Sequence, residues 1–163
     1  LAVVIIGAIG SGTMTLTSEA TGKRDLAQYK GTTLCAFGLC VIVTVLMILG
    51  AVLFPEQILS LFTSDKAIIA SSGIYLLMIG FNLFSKSGNI IVGNAIRGSG
   101  NTKWMLYTQI FGTIWIVSVA AVFVFVCKLG ILGVFLAVMA DEGVRALINL
   151  WKYLCIVKAW KSA

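Results

Sequence analysis

The chain has 163 residues, 60% of them hydrophobic and 11% charged, with a mean hydropathy of +1.05. A soluble domain carries roughly 25% charged residues, and this chain has too little polar material to hide its apolar runs from water, so a soluble fold is excluded. The net charge of +6 does not point to nucleic acid, because the bases lie in short joints between apolar runs rather than on one soluble module.

Gly31 to Pro55, Ala67 to Ser85 and Trp104 to Cys127 contain no acid and no base. Each is long enough to span a bilayer core, which takes about 20 helical residues. Strand-like alternation of apolar and polar residues is absent, and Pro occurs once, so helices are expected rather than a barrel. The chain therefore reads as an all-α, polytopic membrane protein of about five spanning helices.

The first segment covers about residues 1–18. It starts within an apolar run and without a basic leader, so it reads as the later part of a truncated helix rather than a signal peptide. Its Gly7, Gly10 and Gly12 would let a neighbouring helix come close. After a charged joint (Glu19, Lys23, Arg24, Asp25, Lys30) a second segment runs over about 26–54 and stops at Pro55. Glu56 to Lys66 is short and amphipathic, with Ile58, Leu59, Leu61 and Phe62 on one side, as at a membrane surface. The third segment covers about 66–96, with Ser64 or Asp65 as its N-cap. Arg97 to Lys103 is a turn by composition. The fourth and fifth segments cover about 104–126 and 131–157, and a polar tail follows.

The bases orient these segments. Lys23, Arg24, Lys30, Arg97, Lys103, Lys152, Lys158 and Lys161 all fall at one end of an alternating bundle, and the other joints hold only Lys66 and Lys128. The positive-inside rule puts the first set, and with it the C-terminus, in the cytoplasm. The expected location is the plasma membrane.

Polar groups inside a span face a bundle interior or a water-filled cavity, because charge facing lipid is expensive. Asn82, Lys86, Asn89 and Gly93 share one stripe of the third segment, with Ser85 beside them. Lys86 sits about 15 Å along the axis from Arg97, too deep to reach the interface easily. Asn82, Lys86 and Asn89 are thus candidates for a cavity wall. The alternative is a helix contact in which Lys86 pairs with an acid outside this chain. In the fifth segment Asp141 and Arg145 are one turn apart and read as a structural ion pair, with Asn149 on the same face. Glu142 points about 100° away and is a candidate for coupling-ion or solute contact. Gln109, Thr113 and Ser118 read as packing groups.

No metal-ligand spacing occurs among the four Cys (Cys35, Cys40, Cys127, Cys155), which read as small hydrophobes, and there is no His. No metal, no cofactor and no enzyme activity are expected, nor is a phosphate cradle at the Arg97–Thr102 turn.

Four stretches carry a resemblance. Gly93-Asn-Ala-Ile-Arg-Gly-Ser-Gly-Asn-Thr-Lys103 resembles the Arg-Gly-x-Gly-Asp-Thr turn of the MATE family of multidrug and toxic compound exporters. Leu61-Phe-Thr-Ser-Asp65, Lys128-Leu-Gly-Ile-Leu-Gly-Val-Phe-Leu-Ala137 and Asp141-Glu-Gly-Val-Arg-Ala146 are similar to other family motifs, and all four fall in the family's order. Thr21 to Ala27 is similar less closely.

The resemblance implies that residues 1–163 are the end of helix eight and helices nine to twelve of a twelve-helix, two-lobe transporter. It further implies secondary efflux of drugs or other small organic compounds in exchange for Na+ or H+. A first lobe outside this chain would then be its partner and would often carry the coupling acid. Two departures stand out: Val117 and Val119 replace the Arg and Pro common in the eleventh helix, and Lys86 stands near a position usually neutral. Two other readings remain, a lipid-linked saccharide flippase of the same architecture and a non-transporting membrane interaction fragment.

Overall fold

A computed structural model describes residues 2–61 and 66–161, with side chains over 3–61 and 73–161. All regular structure among the described residues is helical: α1 (Ala2–Gly22), α2 (Leu26–Leu53), the short α3 (Pro55–Ser60), α4 (Lys66–Gly98), α5 (Thr102–Ala121) and α6 (Gly130–Lys161). The expected cap at Ser64 or Asp65, and Phe62 of the amphipathic stretch, lie outside the described residues.

Each joint has a local cause. Arg24 adopts φ 55°, and the Asp25 N–H donates to the Ala20 carbonyl at 2.9 Å, closing α1 with a left-handed cap. The Asp25 carboxylate then accepts from the Gln28 N–H at 2.9 Å and starts α2. The turn after α4 repeats the pattern: Gly100 sits at φ +85°, and the Asn101 N–H donates to the Ile96 carbonyl at 3.2 Å. Pro55 opens α3, where its missing N–H costs nothing.

The fourth segment is not one regular helix. Past Ala121 the chain widens into a π-turn over Val122–Val126, with the Cys127 N–H donating to the Val122 carbonyl. Gly133 of α6 packs against it, since a Cβ there would lie 3.1 Å from the Phe123 carbonyl carbon.

Four helices are long and apolar enough to cross a membrane by length and composition: Val3–Gly22, Leu26–Leu53, Gly73–Gly98 and Thr102–Val126. Of the five expected spans, these four meet that measure among the described residues. The last helix, α6, has the length, but Asp141, Glu142, Arg145 and Lys152 interrupt its apolar run.

α4 is the central helix, with α1, α2 and α6 packed along it and α5 against its end and α6. One core cluster joins Ala20, Tyr29, Ala95, Ile96, Met105 and Ile156, so the basic ends of five helices meet on one side. Stacking of Tyr29 on Tyr153 and close approach of Trp160 complete that end. A second cluster holds Ile6, Ala36, Cys40, Leu83 and Ile91. The outer faces carry exposed Leu34, Leu46, Ile114, Phe125 and Leu147, a surface suited to hydrocarbon rather than water. All four Cys are free, and only Cys40 is buried.

Hydroxyls along α1 are satisfied within the helix: Thr13 donates to the Ile9 carbonyl at 2.8 Å and Thr17 to the Thr13 carbonyl at 2.7 Å. This is how polar side chains survive where water cannot reach them. Of the three glycines expected to allow close approach, only Gly10 does so: a Cβ there would meet Asn94 and Ile90 at 2.7 Å, while a Cβ at Gly7 or Gly12 would meet no neighbouring group within 4 Å. A tighter crossing occurs at Gly98, where a Cβ would meet Thr17 and lie 2.8 Å from the Met14 carbonyl oxygen.

Candidate functional site

Polar side chains of α4, α5 and α6 meet in one connected network. Trp104 at the start of α5 donates its indole N–H to Asn149 Oδ1 at 3.2 Å. Asn149 Nδ2 donates to Asn89 Oδ1 at 2.7 Å, and Asn89 Nδ2 donates to Glu142 Oε2 at 2.9 Å. The direction of this relay is forced at both ends, since an indole only donates and a carboxylate only accepts. Both amides are thereby oriented without ambiguity, and Glu142 is the terminal acceptor.

Four charged side chains close the network. Glu142 Oε1 lies 3.7 Å from Lys86 Nζ and 3.7 Å from Arg145 Nη2. Arg145 also pairs with Asp141 one turn away and donates to Gln109 Oε1 at 3.2 Å. Two acids and two bases balance, which offsets the desolvation that would make any one of them costly here. Gly112 makes room for Arg145, because a Cβ there would lie 2.7 Å from its Cδ.

The four charges differ in access. The Asp141 side chain is 1% exposed, Glu142 9% and Arg145 14%, but Lys86 is 34% exposed. Lys86 is also held loosely, by an ion pair beyond hydrogen-bond distance. A cleft of about 110 Å³ between α4 and α5 is lined by Asn89, Asn94, Arg97 and Gln109 with Ile90, Gly93 and Met105. A separate cleft of about 370 Å³ on α2, α4 and α6 is almost wholly apolar, lined by groups such as Phe37, Phe84 and Leu150.

The sequence-derived residues divide accordingly. Lys86, Asn89 and Glu142 come together, and Asp141 pairs with Arg145 as expected. The acid facing Lys86 is Glu142 of this chain, not an acid outside it. Asn82 stands apart. It lines a small cleft with Met78, Ile79, Phe135 and Val138, and its Oδ1 is buried without a hydrogen-bond partner. Gln109 is more than a packing group, since it accepts from Arg145. The roles of Trp104 and Gly112 escaped sequence reasoning. Trp104 offered the signal of a donor at the start of a span, and Gly112 offered none without its neighbour.

Helices long and apolar enough to span a membrane, joined by a charge-balanced cluster in which Asp141 Oδ1 and Arg145 Nε remain without hydrogen-bond partners, define a polytopic membrane protein. The MatE family profile matches residues 1–123, and the chain belongs to that family of transporters, which are not enzymes. It is 36% identical over 105 residues to the "Probable multidrug resistance protein NorM" of Thermotoga maritima, covering 63% of this chain and 22% of that protein. It is 26% identical over 161 residues to the "Uncharacterized transporter YisQ" of Bacillus subtilis, covering 95% and 33%. An inward-facing multidrug resistance MATE transporter of the MOP superfamily superposes with a TM-score of 0.88 at 23% identity, over 100% of this chain and 38% of that one. A MOP superfamily transporter from Pyrococcus furiosus, described as having a binding pocket of reverse polarity that suggests a different function, superposes with a TM-score of 0.87 at 22% identity, over 99% and 36%. The chain thus spans 22–33% of the length of these two relatives.

Proposed function

We propose that the chain is the last part of the second lobe of a secondary exporter that moves drugs or other small organic compounds by antiport with Na+ or H+. The observation that carries this is the charge-balanced cluster of Lys86, Asp141, Glu142 and Arg145, tied by an amide relay across three helices, with one member open to a solute. Ligands bias an alternating-access equilibrium only through contacts that differ between its states. A loosely paired, partly exposed ammonium is such a contact.

In this reading Lys86 and Asn89 face the transport cavity with Glu142 behind them, and Asn82 lines the same helix deeper in. Asp141 and Arg145 hold α6 on α4 and α5. The basic ends gathered by the core cluster face the cytoplasm of a plasma-membrane protein, with the C-terminus there. A first lobe completes the cavity. The test is drug efflux from cells expressing a full-length protein that contains this chain, wild type against Lys86→Gln, with sodium and proton gradients varied separately. Loss or redirection of efflux at unchanged expression supports the reading, and unchanged efflux removes Lys86 from the cavity wall.

A second reading, a lipid-linked saccharide flippase, is favoured by the two bases Lys86 and Arg97 on one stripe of α4. Translocation of a polyprenyl-linked saccharide in vesicles, with no drug efflux, would establish it instead. A membrane interaction fragment without transport would show neither activity.

A further inference from the structure

The charges of this face are ordered by sign as well as by depth. Both acids are covered: Asp141 is 1% exposed and paired with Arg145, and Glu142 is 9% exposed and already accepts from Asn89. The groups left open are cationic. Lys86 is one-third exposed, and Arg97 is exposed at the far end of the same stripe. The α4–α5 cleft is lined by Arg97 and by the neutral amides of Asn89, Asn94 and Gln109; no acid lines it, and Lys86 lies just outside it, one turn before Asn89. A solute on this face meets positive potential and hydrogen-bonding groups, with the carboxylates behind them.

The strengths of the contacts rank the same way. Glu142 keeps a 2.9 Å hydrogen bond from Asn89 and a second cation, Arg145, at 3.7 Å. Losing Lys86 from its neighbourhood therefore leaves Glu142 still hydrogen-bonded and still opposite a positive charge. Lys86 contributes only a 3.7 Å contact on a flexible four-carbon stem. The ammonium is the one charge of the four that can leave the cluster without stranding its partner.

We infer that the polar α4–α5 face binds the carboxylate or other anionic group of an organic anion, with Lys86 swinging from Glu142 to the anion as a tethered counter-ion. This rests on the exporter reading and narrows its substrate class. A cationic solute would have to displace Lys86 and then reach a carboxylate that Asn89 and Arg145 already cover. An anion needs only the ammonium, with Arg97 drawing it along the stripe.

The test uses a full-length protein containing this chain in proteoliposomes, with carboxyfluorescein as the anionic probe and ethidium as the cationic one, under imposed sodium and proton gradients. Carboxyfluorescein is expected to be carried in preference to ethidium. Lys86→Gln should reduce carboxyfluorescein transport about tenfold, because the anion loses the ammonium that pairs with it. Lys86→Arg should restore most of it, and Lys86→Gln should raise the ratio of ethidium to carboxyfluorescein transport. Glu142→Gln, which keeps an acceptor for Asn89, should tighten carboxyfluorescein binding severalfold by freeing the ammonium.

A purely structural Lys86 would move both probes together and show no gain in Glu142→Gln. Transport of ethidium without carboxyfluorescein, or an unchanged KM for the anion in Lys86→Gln, overturns the inference and leaves the exporter reading standing. Movement of neither probe in either gradient, from inserted protein with an unchanged Tm, overturns both. Polyprenyl pyrophosphate competing with carboxyfluorescein would assign the anionic group to a lipid-borne source, and no competition to a soluble one.

Discussion

Helices α1 and α6 both pack along α4, by opposite means. α1 brings no charge to the contact. Its buried Thr13 and Thr17 are bonded to their own helix, side chains of α4 fill the notch at Gly10, and the backbones close at Gly98. α6 brings Asp141, Glu142, Arg145 and Asn149, and its polar contacts reach across to α4 and α5. A contact made by shape resists change until atoms collide, whereas a contact made of separable charges can be rearranged by another charge. The first kind fixes a lobe and the second can respond to a ligand.

The contrast can be broken from the α6 side first. Glu142→Ala removes the acceptor of Asn89 and the acid facing Lys86, leaving uncompensated charge among buried groups. A loss of about 3–5 kcal/mol is expected, seen as a large fall in Tm of the purified full-length protein. A Tm within error of wild type would mean that the cluster is solvated and does not hold α6. From the α1 side, Gly98→Ala should cost about 1–3 kcal/mol, because the new methyl meets the Met14 carbonyl and the backbone cannot yield as a side chain can. Gly10→Ala, which meets only side-chain atoms, should cost less by the same thermal assay; the reverse order would put the tight crossing elsewhere.

Smaller effects sharpen the comparison. Thr44 and Ser87 share a 3.0 Å hydrogen bond between α2 and α4, and Thr44→Val should cost about 0.6 kcal/mol, a typical value for such a bond in a membrane. Gly12→Ala has open space around it and should stabilise by up to about 1 kcal/mol through helix propensity. A fall in Tm there would reveal a neighbour packed on that face of α1 in the full-length protein.

Much of the fold was legible because lipid simplifies the code: long uncharged runs become helices, and Pro55 and Gly100 sit at the joints. The π-turn was not, since Val-Phe-Val-Phe-Val reads like any apolar helix end. At the site, local spacing revealed the stripe of Lys86 and Asn89 and the Asp141–Arg145 pair. Glu142 was harder, because its partners depend on how α6 is rotated and shifted against α4, and no spacing within one helix encodes that. Glycines showed the same limit. Gly7 and Gly12 look like Gly10 in sequence, but a notch exists only where a neighbour fills it.

The cluster of two acids and two bases has an electrical consequence. A single unpaired charge carried across a membrane potential changes energy by about 2.3 kcal/mol for each 100 mV. The formal charges of Lys86, Arg145, Asp141 and Glu142 sum to zero. Moving them together through the field therefore does almost no work. In the proposed exporter the cluster itself would move without drawing on the voltage, and the voltage would act there on the charge of whatever is bound.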